Sequence, residues 1–211
     1  CNLIMVKVLD RKGNGYSSDV LAGISWVLER KEQLGIRILN ISVGACSKRG
    51  MSENSALVKG VNRAWDAGLV VVVAAGNNGP RTMSITTPGI SRKVITVGCS
   101  DDDREVLVGG NRMVDYSGRG PTAACICKPD LVAPGCSVVS CSSRADKYTI
   151  KSGTSMSTPI VSGAVALLLE RFPDMSNKDV KLRLRESSVD IGLPRNQQGW
   201  GLLDVGKMLE R

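Results

Sequence analysis

A serine lies in a segment whose residue types suit nucleophilic catalysis. Residues 153–159 read Gly-Thr-Ser-Met-Ser-Thr-Pro and begin a stretch that is apolar on nearly every helical face. This pattern predicts a buried helix over 155–171, with Pro159 in its first turn. The free N–H groups and the dipole at a helix N-terminus stabilise developing negative charge. Ser155 is therefore a candidate nucleophile for acyl transfer.

An asparagine could complete this site from another part of the chain. Ala74-Ala75-Gly76-Asn77 follows a continuous apolar run over 69–75, which is typical of a buried strand. Open parallel sheets bind their ligands at the carboxyl ends of the strands. The side-chain amide of Asn77 could therefore donate a hydrogen bond to the oxyanion of a tetrahedral intermediate.

The group that would activate the serine is missing from the sequence. None of the 211 residues is a histidine. No Ser-x-x-Lys pattern supplies a lysine as an alternative base. Without a base, the Ser155 hydroxyl stays protonated and is a weak nucleophile.

The elements that must position these residues alternate along the chain. Apolar runs of strand length lie at 3–9, 36–43, 69–75 and 94–97, and helical spacing at 19–33, 55–67 and 155–171. Strands that alternate with helices of these lengths pair in parallel through right-handed crossovers. The sequence predicts one α/β domain over 1–211, a layered parallel sheet flanked by helices, with loops and short strands over 100–152.

The charge pattern argues against nucleic-acid and membrane partners. The net charge is +8, but the basic residues are scattered and aromatic residues make up only 3% of the chain. The densest basic group has helical spacing and predicts a solvated helix face; it comprises Lys178, Lys181, Arg183 and Arg185. No apolar run reaches the length of a membrane span, and the N-terminus lacks the pattern of a signal peptide.

The cysteines are predicted to be free thiols. There are seven, an odd number, at positions 1, 46, 99, 125, 127, 136 and 141. This argues against a secreted disulfide framework and favours reduced thiols in the cytoplasm. Cys125 and Cys127 are separated by a single residue, which does not fit the usual zinc spacing. With Asp101-Asp102-Asp103 interpreted as a solvated turn, we expect no metal and no cofactor.

Several motifs together resemble those of the subtilisin-like serine proteases, the subtilases. Gly153-Thr154-Ser155-Met156 with Thr158-Pro159 is similar to the nucleophile motif of the family, and Ala75-Gly76-Asn77 to its oxyanion segment. Ile41-Ser42-Val43-Gly44 is similar to its substrate-binding strand. The resemblance covers nearly the whole chain, from Val6–Leu9 through Tyr116–Pro121 and Lys128–Gly135 to Gly199–Gly201. Intracellular bacterial subtilases are the most similar members.

The resemblance implies a role for each of these segments. Ser155 would attack the scissile carbonyl of a peptide or protein substrate, and Asn77 with the Ser155 N–H would bind the oxyanion. The residues that would pair with the substrate as a strand are Ser42, Val43 and Gly44. The residues that would line the main specificity pocket are Ala74, Ala75 and Gly76. Because the latter are small, the pocket would accept bulky side chains.

The chain departs from the family at its N-terminal side. In subtilases the catalytic Asp and His come before the strand that corresponds to Val6–Leu9, and neither Asp10 nor Asp66 replaces the missing Asp. Loss of one triad member costs roughly 10⁶-fold, as measured in a subtilisin. The family also places the strand that bears the catalytic Asp between 6–9 and 38–42. We therefore expect a gap in the sheet and an inactive chain, unless an N-terminal segment is supplied by the same or another polypeptide.

Two hypotheses about function remain open at this point. The first is the C-terminal portion of an endopeptidase catalytic domain, with its Asp and His located upstream. The second is a non-catalytic subtilase-like protein that binds peptides or other partners. An in-frame upstream segment that contains both catalytic residues would favour the first hypothesis.

Overall fold

A parallel sheet of four strands forms the centre of the molecule. A computed structural model describes residues 1–45, 53–142 and 147–210. In chain order, the elements are α1 (Ser17–Arg30), β1 (Ile38–Ile41), α2 (Ala56–Asp66), β2 (Val70–Ala74), β3 (Ile95–Cys99), β4 (Val106–Val108), β5 (Asn111–Met113), β6 (Leu131–Ala133), β7 (Val138–Cys141), β8 (Tyr148–Lys151), α3 (Thr154–Arg171), α4 (Asn177–Ser187), α5 (Arg195–Gln198) and α6 (Val205–Leu209). The strand order is β1-β2-β3-β6. The α/β architecture predicted from the sequence is confirmed.

The register of the sheet brings the ends of β1 and β2 together. Ile41 pairs with Val73, and Ala74 pairs with Val97 of β3. Every residue of β2 and β3 is buried, because helices cover both faces of a parallel sheet. Helix α3 packs against all four strands, so its first turn lies close to the carboxyl ends of β1 and β2.

Helices α2 and α4 begin where side chains satisfy their first N–H groups, whereas α3 begins at Gly153 without a side-chain cap. The Ser55 hydroxyl accepts a hydrogen bond from the Val58 N–H at the start of α2. At the start of α4, Ser176 and Asp179 form a reciprocal capping box. Pro159 is the sixth residue of α3, so the prediction that it lies in the first turn was wrong. Its missing N–H leaves the Ser155 carbonyl without the usual helical donor.

The strand predicted at 3–9 is not formed. This segment has no regular secondary structure, and Leu3 and Met5 are 84% and 90% exposed. An open groove of about 320 Å³ separates it from β1. Apolar side chains line much of the groove, among them Val6, Val8, Val20, Ile24, Leu39 and Ile41. The apolar pattern is therefore present, but this groove lies between the segment and β1, and the segment forms no strand.

A buried ion pair connects the sheet to α4. Lys128 is 1% exposed, and its Nζ lies 2.5 Å from Asp130 Oδ2 and 3.0 Å from the Val94 carbonyl oxygen. Lys181 of α4 lies 3.4 Å from the other oxygen of Asp130. Burial lowers the pKa of Lys128 to about 8, although the carboxylate of Asp130 opposes this shift.

Two of the four basic residues predicted to form a solvated helix face have structural roles. Lys181 Nζ donates to the carbonyl oxygens of residues 92–94. Arg183 Nε donates to a carbonyl oxygen of α6 at 2.8 Å. Only Lys178 and Arg185 are exposed as the charge pattern predicted. The helical spacing was right, but α4 lies against the sheet and α6 rather than standing free.

The aspartate run 101–103 is not a simple solvated turn. Asp102 is 3% exposed, and its carboxylate accepts the Ser117 N–H at 2.7 Å. Burial raises the pKa of Asp102. Asp101 Oδ1 accepts the N–H groups of residues 135 and 136, at 2.7 and 3.1 Å. The run therefore holds two neighbouring loops against the end of β3.

The structure also tests the predictions of free thiols and of no membrane span. The six described cysteines are free thiols, as predicted, and Cys46 lies outside the described residues. Across residues 1–45, 53–142 and 147–210, no helix is both long and apolar enough to cross a membrane.

Candidate active site

The candidate nucleophile lies at the carboxyl ends of β1 and β2. Ser155 is the second residue of α3 and is half-buried, so its hydroxyl can be reached from solvent. Its Oγ donates a hydrogen bond to the Ser42 carbonyl oxygen at 2.8 Å. A carbonyl oxygen cannot remove the proton of a serine. The acceptor of this hydroxyl is therefore not a general base.

The predicted oxyanion residue lies beside the same helix turn. Asn77 Oδ1 accepts hydrogen bonds from the N–H and the hydroxyl of Thr154, both at 3.0 Å. Thr154 Oγ1 in turn accepts the Gly76 N–H at 3.1 Å. With its oxygen held in this way, Asn77 keeps its Nδ2 donors available for a ligand. Gly153 has φ +141, and a Cβ there would lie 3.2 Å from Asn77 Nδ2.

The predicted substrate-binding segments face one another across a threonine that the sequence analysis missed. A Cβ on Gly44 would lie 2.5 Å from Thr86 Oγ1, and a Cβ on Gly76 would lie 2.4 Å from Thr86 Cγ2. Thr86 is 4% exposed, and its hydroxyl donates to the Ala75 carbonyl oxygen at 3.2 Å. Thr86 thus fills the space between the two glycines. Nothing in the local sequence marks it, since its neighbours come from distant segments.

The other residues predicted to bind the substrate differ in how deeply they are buried. Gly76 is half-buried, and its φ of +95 favours glycine. Ala74 and Ala75 are almost completely buried, and Ala75 packs in an apolar cluster with Val58, Ile85 and Ile90. Val43 is half-buried and packs against the main core. The backbones of these residues border the site, while the alanine side chains belong to the core.

One cluster among the described residues could hold a metal ion, and it lies near the first turns of α3. It consists of Cys99, Asp101 and Cys136, whose ligand atoms all lie within 4.8 Å of one another. The zinc spacing considered in the sequence was that of Cys125 and Cys127, and neither of them belongs to this cluster.

Comparisons with known proteins show the family of this chain. The family model described as "Subtilase family" matches residues 1–201. The chain belongs to the subtilase family. It is 39% identical over 204 residues to Serine protease AprX of Bacillus subtilis (strain 168), covering 89% of this chain and 46% of that protein. It is 34% identical over 206 residues to Subtilisin DY of Bacillus licheniformis, covering 97% of this chain and 66% of that protein.

A solved subtilase structure has the same fold. Sphericase superposes with a TM-score of 0.77 at 31% sequence identity, covering 94% of this chain and 66% of that protein. The chain therefore spans between about half and two thirds of the length of the subtilases that it matches. The roles assigned above to Ser155, Asn77 and the substrate segments remain predictions for this subtilase.

Proposed function

We propose that this chain is the serine-bearing portion of a subtilase catalytic domain that hydrolyses peptide bonds through an acyl-enzyme at Ser155. The observation that carries the proposal is the convergence of three groups: the Ser155 hydroxyl, the Asn77 amide and the backbone of Ser42. A nucleophile, an oxyanion donor and a strand edge for the substrate are the parts that acyl transfer from a peptide requires. The substrate would be a peptide or a protein.

The missing base defines what must be added to this chain. Because the sequence contains no histidine, a second segment has to supply the catalytic His and Asp. The groove between residues 5–9 and β1 supports this proposal, since it exposes a strand edge and apolar side chains. A parallel strand in this groove would satisfy the free edge of β1 and bring its own side chains to the sheet end that carries Ser155.

The proposed protein acts in the cytoplasm on peptide or protein substrates. We keep the predictions of a cytoplasmic protein, of no nucleic-acid partner and of no membrane partner. The scattered basic residues, the scarcity of aromatic residues and the free thiols support them. No cofactor takes part in the proposed hydrolysis.

Active-site labelling with a fluorophosphonate tests the function directly. We expect the 211-residue chain alone to remain unlabelled and to cleave no peptide. Addition of a segment with the catalytic Asp and His, in the same polypeptide or as a separate chain, should confer both labelling and hydrolysis. Ser155→Ala should abolish both gains, and Ser162→Ala, a hydroxyl further along the same helix, should retain them.

Each outcome of this experiment separates the hypotheses. Hydrolysis by the chain alone, lost in Ser155→Ala, would overturn the conclusion that a base is missing. A complemented protein that binds peptides but neither cleaves them nor reacts would favour the alternative, a non-catalytic binding protein. The absence of a histidine from the sequence is the observation that keeps this alternative open.

A further inference from the structure

Two thiols, a carboxylate and a phenol meet at the end of β3. Cys99 is the last residue of that strand, and its Sγ lies 3.1 Å from Asp101 Oδ1. The Tyr116 hydroxyl lies 3.1 Å from Cys99 Sγ and 3.3 Å from Cys136 Sγ. Cys99 and Tyr116 are fully buried, whereas Asp101 and Cys136 are partly accessible. An ion could therefore enter from the side of Cys136.

The ligand set suits a soft divalent cation. Thiolate sulfur and carboxylate oxygen bind Zn²⁺ at about 2.3 Å and about 2.0–2.2 Å in tetrahedral sites. Tetrahedral geometry with these bonds places the ligand atoms roughly 3.5–3.8 Å apart. The three candidate ligand atoms already lie within 4.8 Å of one another. Asp101 receives its two backbone N–H bonds on Oδ1, so Oδ2 can still bind a cation.

An unsatisfied hydroxyl faces the same place. Ser157 is completely buried, and among the described residues its Oγ has no hydrogen-bond partner. A Cβ on Gly135 would lie 2.3 Å from Ser157 Oγ and 2.8 Å from Cys99 Sγ. Both atoms are therefore packed closely against Gly135, which leaves no room for a side chain at that position and places Ser157 Oγ near Cys99 Sγ. Buried hydroxyls are nearly always hydrogen-bonded, so an unpartnered Ser157 Oγ beside Cys99 points to a polar group or ion at this cluster that the protein itself does not supply.

We propose that Cys99, Cys136 and Asp101 bind one divalent cation of the Zn²⁺ class, with Tyr116 or a water as the fourth ligand. Both thiols lose their protons to solvent on binding, so the site takes up one cation and releases two protons. This inference departs from the sequence-based expectation of no metal. It concerns a structural site and stands whether or not the chain forms part of a protease.

The site would act on the turn that carries the nucleophile. The Gly135 carbonyl oxygen accepts hydrogen bonds from the Gly153 N–H at 2.9 Å and from the Tyr116 hydroxyl at 3.2 Å. Gly153 caps α3 two residues before Ser155. A cation that joins β3 to the loop at 135–136 would therefore hold Gly153 in place and stabilise the first turn of α3. It would contact neither substrate nor Ser155.

Titration of the reduced, metal-free protein with Co²⁺ tests the proposal. We expect one equivalent to bind, with thiolate-to-cobalt absorption in the near ultraviolet, and Zn²⁺ to displace it. Cys136→Ser and Asp101→Asn should weaken binding at least tenfold. Cys125→Ser and Cys141→Ser, which change exposed thiols outside the cluster, should bind as the wild type does. Zn²⁺ should raise the melting temperature of the wild type and of these two controls only.

Three outcomes would overturn the proposal. The first is the absence of thiolate-to-cobalt absorption in the reduced wild type. The second is full binding by Cys136→Ser together with loss of binding in Cys125→Ser. That result would assign the ion to the exposed pair Cys125 and Cys127. The third is a Cys99–Cys136 disulfide in peptide maps of the air-exposed protein, combined with no metal binding after reduction. Cys136 and Asp101 are partly accessible, so their variants should fold even where a change at Cys99 would not.

Discussion

The side-chain oxygen of Asn77 is held by both the backbone N–H and the hydroxyl of Thr154, at 3.0 Å each. These two hydrogen bonds from one residue fix the orientation of the Asn77 amide plane. The Nδ2 group is consequently not the atom that Thr154 holds, and it lies beside Gly153. Thr154 is thus a positioning residue for the proposed oxyanion donor.

Thr154→Val should impair turnover in the complemented protein without changing substrate binding. Loss of the oxyanion donor itself costs roughly 10² to 10³ in kcat, the value measured for a subtilisin. We expect a smaller loss for the positioning residue, roughly 10-fold in kcat with KM unchanged. Steady-state kinetics on a peptide substrate provide the measurement. Thr158→Val is the matched control, because that buried hydroxyl donates only to the Thr154 carbonyl oxygen. Equal losses in both variants would contradict a specific role for Thr154.

Thr86→Gly should shift cleavage preference toward larger side chains. Thr86 fills the space between Gly44 and Gly76, so its removal lengthens the pocket. We expect the preference for Phe over Ala before the scissile bond, measured as a ratio of kcat/KM values, to rise by roughly 10-fold or more. Thr86→Val keeps the volume and removes only the hydroxyl, so the ratio should stay near that of the wild type. An unchanged ratio in Thr86→Gly would show that this residue does not limit the pocket.

Gly44→Ala should be harmful alone and tolerated together with Thr86→Gly. A Cβ at position 44 would lie 2.5 Å from Thr86 Oγ1, and this contact disappears in the double variant. Gly76→Ala should not be rescued in the same way, because its φ of +95 strains any side chain regardless of space. Thermal unfolding of the wild type, the three single variants and the two double variants gives the coupling energies. Rescue of both glycine variants, or of neither, would refute this explanation.

Lys128→Met should remove a pH dependence of stability above pH 8. Burial lowers the pKa of Lys128 to about 8 from the ordinary value of 10.5. Between these values the unfolded state binds more protons than the folded state, so the free energy of unfolding rises with pH. The rise should total on the order of 3 kcal/mol, at about 1.4 kcal/mol per pKa unit.

Chemical denaturation at several pH values between 8 and 10.5 measures this effect. The free energy of unfolding of the wild type minus that of Lys128→Met should increase with pH across this range. Lys178→Met changes an exposed lysine and should leave the pH dependence of the wild type intact. If the free energy of unfolding depends on pH in the same way for the wild type and for Lys128→Met, the lowered pKa of Lys128 is contradicted.

The sequence predicted the parts of the site that depend on local pattern. Ser155 lies at the start of an apolar helix and Asn77 follows an apolar strand, and each local pattern was clear enough to place its element. Parallel pairing of β1 with β2 then brings the strand ends together. For these residues, fold and proximity follow from periodicity and from the rules of α/β topology.

Contacts between distant loops could not be predicted in this way. Thr86 reaches Gly44 and Gly76 from a connection between β2 and β3, and the composition of that loop does not indicate its path. Cys99 and Cys136 meet because β3 and β6 pair in register, which a spacing rule for zinc motifs does not capture. The strand prediction for residues 3–9 was wrong for a different reason. A strand also needs a neighbouring strand to pair with, and the sequence of the segment does not indicate where that neighbour lies.

The free edge of β1 has a practical consequence for work with the isolated chain. Unpaired backbone groups beside exposed Leu3 and Met5 form a surface on which a second molecule can add a strand. Preparations of the 211-residue chain should therefore scatter light and gain β-structure as their concentration rises. Addition of the complementing segment should keep the same preparations monodisperse, so colloidal behaviour reports occupancy of the groove before any substrate is added.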